Sequence, residues 1–305
     1  MDFGKLPSVD RIDFRLPPPP APQEARSLRV LKASPSGLST VRAGCPVWAQ
    51  KQWIGKVYPL GTRPADFLHH YSRQFSTIEL NITHYRIPTP EAVIEWREQT
   101  PPGFRFCPKW PQEISHHRFL QQSEDLKTLF CDSLSHLGDR MGSSFLQLAP
   151  GFSPQYLSVL KRFLASIPRD FPVCVEFRHA GWFENHALIP AAFDALEAAG
   201  AGTVITDVAG RRDVAHLSLT APRSIIRFVG NSLHHTDHER IDAWVPRLKL
   251  WLASGLRELD FCIHQPDNVL EPELIHYFIE ALNARAGLRV RDWTPMDQGT
   301  QLSLI

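Results

Sequence analysis

The chain lacks the marks of several protein classes. Among 305 residues it has five cysteines, Cys45, Cys107, Cys131, Cys174 and Cys262, and no Cys-x-x-Cys pair. That spacing excludes a zinc ribbon, and the unpaired, mostly apolar settings point to reduced buried thiols in a cytoplasmic protein. Charge of one sign is also missing. Thirty-three Lys and Arg against thirty-two Asp and Glu leave a net charge of +1, so the bulk charge gives no argument for nucleic-acid or membrane binding. No apolar run reaches ~18 residues, so no membrane span is expected. Met1-Asp2-Phe3-Gly4 lacks the basic-then-apolar pattern of a secretory signal. Gly-x-Gly-x-x-Gly and Gly-x-x-x-x-Gly-Lys-Ser/Thr are absent, which removes two phosphate-binding fingerprints.

What is present is a rhythm. Residues 1–40 carry Pro7, Pro17 to Pro20, Pro22 and Pro35, and read as an extended or disordered arm. From residue 41, eight β-like runs alternate with amphipathic helices: Val41–Cys45, Thr77–Thr83, Phe104–Lys109, Ser144–Ala149, Val173–Arg178, Thr203–Asp207, Ile225–Val229 and Leu259–His264. Stripes such as Leu126, Leu129, Phe130, Leu134, Leu137 and Ile241, Trp244, Val245, Leu248, Trp251, Leu252 keep spacings of three and four. Thr89-Pro90 and Ser153-Pro154 read as helix starts. The span 41–286 is close to the ~250 residues of a (β/α)8 barrel. With no Gly-rich first turn, a TIM-barrel-like α/β domain is preferred to a doubly wound open sheet. Residues 287–305 turn polar and read as a tail outside the barrel.

In a barrel strand, alternate side chains face the helices and the interior. Ile78, Leu80, Val173, Val175 and Phe177 should face the helices. That turns Glu79, Asn81, Glu176 and Arg178 inward, and the same alternation is expected to turn Lys109, Gln147, Asp207 and Arg227 inward. Barrel interiors are usually filled by branched apolar residues, so three acids and three bases near the C-terminal strand ends call for ion pairing or a ligand. Lys109, Arg178 and Arg227 suit an anionic group. Glu79, Glu176 and Asp207 are the candidate acid, base or metal-holding carboxylates. A glycosidase also needs a carboxylate pair. His116-His117 and His234-His235 with His238 fall in loops of the same face, as solvated histidines or metal ligands. Trp48, Tyr85, Trp110 and Trp182 are placed to stack on a sugar or base.

Several motifs in order resemble the YecE-like family, the domain of unknown function 72 family: Trp53-x-Gly55-x-x-Tyr58-Pro59, Phe75-Ser76-Thr77-Ile78-Glu79-Leu80-Asn81-x-Thr83-x-Tyr85-x-x-Pro88, Trp96-x-x-x-Thr100-Pro101-x-Gly103-Phe104-x-Phe106-x-x-Lys109, Gln147-Leu148-x-Pro150, Val175-Glu176-Phe177-Arg178-His179-x-x-Trp182 and Thr206-Asp207. The resemblance covers about residues 41–265 and implies a TIM-barrel-like fold without implying a reaction. Two places depart from the family pattern. Arg227-Phe228-Val229-Gly230 stands where the family has Arg-x-His-Gly, and Ile263-His264-Gln265-Pro266-Asp267-Asn268 where it has paired asparagines. On the resemblance, His264 or Asn268 would be the residue to stand in for the missing groups. Cys45 holds a position where the family has a small hydroxyl or thiol, which admits a nucleophile.

The chain ends Gln301-Leu302-Ser303-Leu304-Ile305. This resembles the pentapeptide by which bacterial replication and repair proteins dock on the sliding clamp, with Ile305 in place of an aromatic residue. Gln301, Leu302, Leu304 and Ile305 would be the docking residues. Three functions follow as expectations: a hydrolase for a phosphate ester or nucleic-acid-derived anion, a DNA-associated adaptor on the clamp, or a sugar-processing enzyme. A divalent metal held by Glu79, Glu176, Asp207 and His264 would suit the first.

Overall fold

The structure is a computed structural model that describes Gly4, residues 6–34 and residues 37–296. Eight parallel strands follow the expected runs: β1 Thr40–Cys45, β2 Thr77–Leu80, β3 Arg105–Pro108, β4 Ser144–Gln147, β5 Val173–Glu176, β6 Gly202–Asp207, β7 Arg223–Val229 and β8 Glu258–His264. Their order around the sheet is β3-β2-β1-β8-β7-β6-β5-β4. The remaining seam, between β3 and β4, is bridged at Phe106–Met141 and Lys109–Phe145, where Gly142 N donates to Phe106 O at 2.8 Å and Trp110 N to Phe145 O at 3.0 Å. The sheet therefore closes nearly completely into a barrel, as the βα rhythm predicts.

The barrel interior is layered. Its middle holds Cys107, Phe145, Cys174, Val204, Ile225 and Cys262, a small apolar cluster separate from the main core. Towards the N-terminal end Arg42 lies 3.5 Å from Asp260, both buried. The larger core lies between the outer strand faces and the helices, and contains Ile78, Leu80, Val175, Phe177, Ile205 and Phe261. The helices are α1 Ala21–Lys32, α2 Phe67–Gln74, α3 Ile82–Tyr85, α4 Pro90–Gln99, α5 Glu124–Ser135, α6 Leu157–Ala165, α7 Pro190–Ala199, α8 His235–Ser254 and α9 Glu271–Ala286. Thr89 caps α4, accepting from Ala92 N at 3.4 Å. Ser153 precedes a 3-10 turn, Pro154–Tyr156, and makes no side-chain cap.

The N-terminal segment differs from its expected form. Pro17 to Pro20 do stay outside any helix or strand, but α1 begins at Ala21. Pro22 falls in its first turn, where a proline removes no helical hydrogen bond, and no further proline interrupts it. The helix is also needed. The connection from β6 to β7 contains only the 3-10 segment Ala209–Val214, so no long helix packs there. Helix α1 takes that place between α7 and α8. Arg26 pairs with Asp194, Arg29 meets Glu197 at 2.7 Å, and Arg247 of α8 pairs with Glu24. Ser27 Oγ accepts from Leu219 N at 3.1 Å, and Leu31 is fully buried.

The tail reading is corrected as far as residue 296. Trp293 is buried, and its Nε1 donates to Pro272 O at 2.7 Å. Thr294 N donates to Gln74 Oε1 at 3.0 Å, and Met296 N to Lys56 O at 2.9 Å. A large indole brings the segment back onto α2 and α9. Gln301, Leu302, Leu304 and Ile305 lie outside the described residues. Among the described residues no helix is long and apolar enough to cross a membrane.

Candidate active site at the barrel mouth

Alternation along β2, β5 and β7 sends Glu79, Glu176 and Arg227 into the barrel at its C-terminal end, where all three are buried. Arg227 joins the two acids. Its Nε and Nη2 meet Glu79 Oε2 and Oε1 at 2.9 and 3.0 Å, and its Nη1 lies 3.4 Å from Glu176 Oε2. Such bidentate geometry is what makes arginine suited to a buried carboxylate. Glu79 also receives Asn81 Nδ2 at 3.0 Å and lies 2.9 Å from His264 Nε2. Glu176 receives Gln147 Nε2 at 2.8 Å, Arg178 Nε at 2.9 Å and Thr206 Oγ1 at 2.9 Å.

The electrostatics follow from those bonds. Burial pushes the Glu79 carboxyl up, yet Arg227 and His264 overcome it and hold the group well below the usual range. Burial likewise opposes ionisation of Glu176, and Arg178 with Arg227 brings it down to about 2. Both acids are therefore fixed as carboxylates at neutral pH. Lys109 differs from the arginines. It is 2% exposed, and its ammonium lies 5.4 Å from the centre of the Phe145 ring. That ammonium makes no hydrogen bond or ion pair with any described residue. Burial, and then Arg227, lowers it to about 8. His84 and His116 stack edge to face at 5.2 Å; burial, and then the Lys109 charge, brings both to about 4, so both are neutral.

A cavity of about 660 Å³ opens above this cluster. Asn81, Arg178, Thr206, Arg227 and His264 line its floor, with Asn231, Ser232 and Gln265 from the β7 and β8 loops. Ser232 and Leu233 both adopt left-handed backbone, at φ 59° and 58°. Ser232 N is held by Gln265 Oε1 at 2.8 Å.

Thus Glu79, Asn81, Lys109, Gln147, Glu176, Arg178, Arg227 and His264 converge. Other expectations do not hold. Asp207 points outward. Its neighbour Thr206 takes the inward position, so Asp207 faces α8 and is bound by Trp244 Nε1 at 2.8 Å, by Arg240 Nη1 at 3.2 Å and by Arg212. Trp182 is fully buried and donates from Nε1 to Phe152 O at 2.6 Å, so it is packing rather than a stacking surface. Trp110 is buried likewise and donates to Ser144 Oγ. Tyr85 stays 68% exposed on α3, outside the cavity wall. Cys45 points away from the barrel interior, 3.4 Å from Tyr71 Oη, and burial pushes its thiol well up, which makes it a poor nucleophile. His234 caps α8, and His238 packs on Tyr277. Sequence reasoning missed Thr206 and His84. Thr206 had no clear signal, because β6 is apolar on both faces, Val204 inside and Ile205 outside, and the helical turn after β2 that carries His84 has no local signal either.

The metal expectation fails on the donors themselves. Asp207 is on the other face of β6, and both oxygens of Glu79 already serve Arg227. Among the described residues no group of three or more His, Cys, Asp and Glu is placed to hold a metal ion.

An eight-stranded parallel barrel, surrounded by helices and nearly closed, defines a TIM-barrel-like α/β protein. The family model described as "Protein of unknown function DUF72" matches residues 42–298, and the chain belongs to that family. UPF0759 protein YecE of Escherichia coli (strain K12) is 35% identical over 257 residues, covering 78% of this chain and 91% of that protein. UPF0759 protein YunF of Bacillus subtilis (strain 168) is 26% identical over 134 residues, covering 42% and 48%. The crystal structure of a DUF72 family protein from Enterococcus faecalis V583 superposes with a TM-score of 0.66 at 18% identity, covering 85% of this chain and 99% of that one. This likeness supports the fold.

Proposed function

We propose that the barrel mouth is the active site of a hydrolytic enzyme acting on an anionic substrate, a phosphate ester or nucleic-acid-derived compound. One observation carries this reading. Three cations, Lys109, Arg178 and Arg227, share the interior with two carboxylates, and the Lys109 ammonium, set over the Phe145 ring, makes no hydrogen bond or ion pair with a described residue. An anion in the cavity would complete that balance. Arg178 and Arg227 line the wall and would take the anionic group; Lys109 lies behind them. His264 is the general base in this scheme. Its Nε2–H donates to Glu79, which leaves Nδ1 as the basic atom and fixes the ring. Water deprotonated at Nδ1 would attack the ester, and the proton would pass to the leaving oxygen. The sugar-processing alternative is disfavoured, because it needs one protonated carboxyl and both acids are held ionised.

The test is turnover of p-nitrophenyl phosphate, bis-p-nitrophenyl phosphate and p-nitrophenyl glycosides, beside calorimetry with inorganic pyrophosphate. Phosphoester turnover should fall about 10²-fold or more in His264→Asn. Pyrophosphate binding should weaken about tenfold in Arg178→Met. Absence of both turnover and pyrophosphate binding refutes the reading. The adaptor alternative rests on the terminal pentapeptide alone. Clamp pull-down that is unchanged by Gln301→Ala and Leu304→Ala would remove it.

A further inference from the structure

We propose that the N-terminal segment is a cover over the barrel mouth that admits small anions and excludes a nucleic-acid strand; this deepens, and rests on, the anion-binding reading above. The cavity wall has two sources. Part comes from the barrel loops. The rest is Gly4, Leu6, Pro7, Ser8, Val9 and Asp10, which precede the span matched by the family.

The segment crosses the mouth on three holds. Gly210 N donates to Gly4 O at 2.9 Å, and Gly4 lies so close to Val208 that a Cβ there would come within 2.7 Å of its side chain. The Asp10 carboxylate lies 3.5 Å from His234 Nε2 at the start of α8. Phe14 is 8% exposed, with its ring 4.6 Å from the Arg240 guanidinium and 5.6 Å from that of Arg212. Arg212 Nη2 donates to Phe14 O at 3.3 Å and to Arg15 O at 3.2 Å. Asp207 holds both arginines. Pro17 to Pro20 then lead to α1, which is fixed in the barrel wall.

With the cover in place the chamber is about 660 Å³, within the ~300–1,000 Å³ that suits a small molecule. A nucleic-acid strand instead needs an open groove along which its backbone can run. The cover's holds are few and Leu6, Pro7, Ser8 and Asp10 are exposed, so loss of one anchor should release it.

The test compares the full chain with Phe14→Ala and with Asp10→Ala, a surface change that leaves the core untouched. Carbethoxylation of His264 by diethylpyrocarbonate, read by peptide mass spectrometry, reports access to the mouth without needing a ligand. Anisotropy of a fluorescent short single-stranded oligonucleotide reports polymer binding, and calorimetry with inorganic pyrophosphate reports the anion site. His264 should react roughly fivefold faster in Phe14→Ala and roughly twofold faster in Asp10→Ala. Oligonucleotide binding should rise about tenfold in Phe14→Ala, with pyrophosphate affinity changed less than about threefold. If Phe14→Ala does not fold, Asp10→Ala carries the comparison. Equal His264 rates in all forms overturn the cover, and so does oligonucleotide binding as tight in the unaltered chain as in the variants. No pyrophosphate binding in any form overturns the anion reading and the small-anion restriction, even with His264 rates that still separate.

Discussion

Glu79→Gln is the most informative single change at the mouth. It removes the carboxylate that meets Arg227 at 2.9 and 3.0 Å, while Arg227 itself stays 1% exposed. The guanidinium then keeps only Glu176 as a carboxylate partner, at 3.4 Å. Breaking a buried pair by removing one partner costs about 3–5 kcal/mol, and the surviving Glu176 contact places this case near the lower end. At about 2.1 cal/mol/K of unfolding entropy per residue, a 305-residue chain loses about 1.6 °C of Tm per kcal/mol. The expected loss is therefore about 5 °C by calorimetry. The double variant Glu79→Gln/Arg227→Met separates structure from recognition. It removes both charges, and the introduced amide still offers an oxygen to Asn81, so most of the lost stability should return. Pyrophosphate binding should be lost in the double variant, because the guanidinium is gone. A Glu79→Gln loss below about 1 kcal/mol would refute the buried-pair argument. Unaltered binding in the double variant would refute any recognition role for Arg227.

Further outcomes follow from other residues. Lys109 is lowered to about 8, so it is protonated below that value and neutral above it. Pyrophosphate binding followed by calorimetry should weaken as pH rises through about 8, and Lys109→Met should flatten that profile. Glu271 is fully buried, and burial raises it to about 7. A carboxyl whose folded pKa is raised contributes stability below its unfolded value, and loses it as pH rises through the folded value. Glu271→Gln should therefore raise Tm at about pH 8 and leave it nearly unchanged at about pH 4. For Glu176, held at about 2, the sign is opposite. Its contribution is present above its unfolded value and is lost as pH falls towards about 2, so Glu176→Gln should shrink the acid-induced drop in Tm. Gly255 ends α8 at φ 114°, and a Cβ there would come within 2.3 Å of Leu31 O. Gly255→Ala should cost about 1–3 kcal/mol in urea melts and raise hydrogen exchange in α1 before the barrel strands.

The fold was legible where one face of a strand is apolar and the other is not. Ile78 and Leu80 against Thr77 and Glu79, and Val173 and Val175 against Cys174 and Glu176, fix both the strand and its facing. In β6 the pattern is apolar on both faces. Val204 faces the interior and Ile205 the helices, so alternation there gives a strand but no facing, and the charge of Asp207 falls on the wrong side. Helix α1 was hidden by its prolines and by distance. Its partners Asp194, Glu197 and Leu219 lie far along the chain. The signal that could have revealed it is an absence: no helical stripe separates Asp207 from Ile225, so a barrel built from this sequence needs a helix from elsewhere to cover β6.

The outward facing of Asp207 changes the electrostatic argument in one direction. Counted inside, it balances three acids against three bases and makes a closed salt-bridge network sufficient. Bound instead to Arg240, Arg212 and Trp244 on the outer face, it leaves two carboxylates facing Lys109, Arg178 and Arg227. The interior then carries an uncancelled positive charge, while burial first, and then Arg227, lowers Lys109 to about 8. The same aspartate, outside, holds the two arginines on which Phe14 rests. Its removal should therefore loosen the N-terminal segment without changing the charge that an anion meets. Asp207→Asn should speed His264 modification and leave pyrophosphate affinity within about threefold, whereas an interior catalytic aspartate would lose turnover with the segment unmoved.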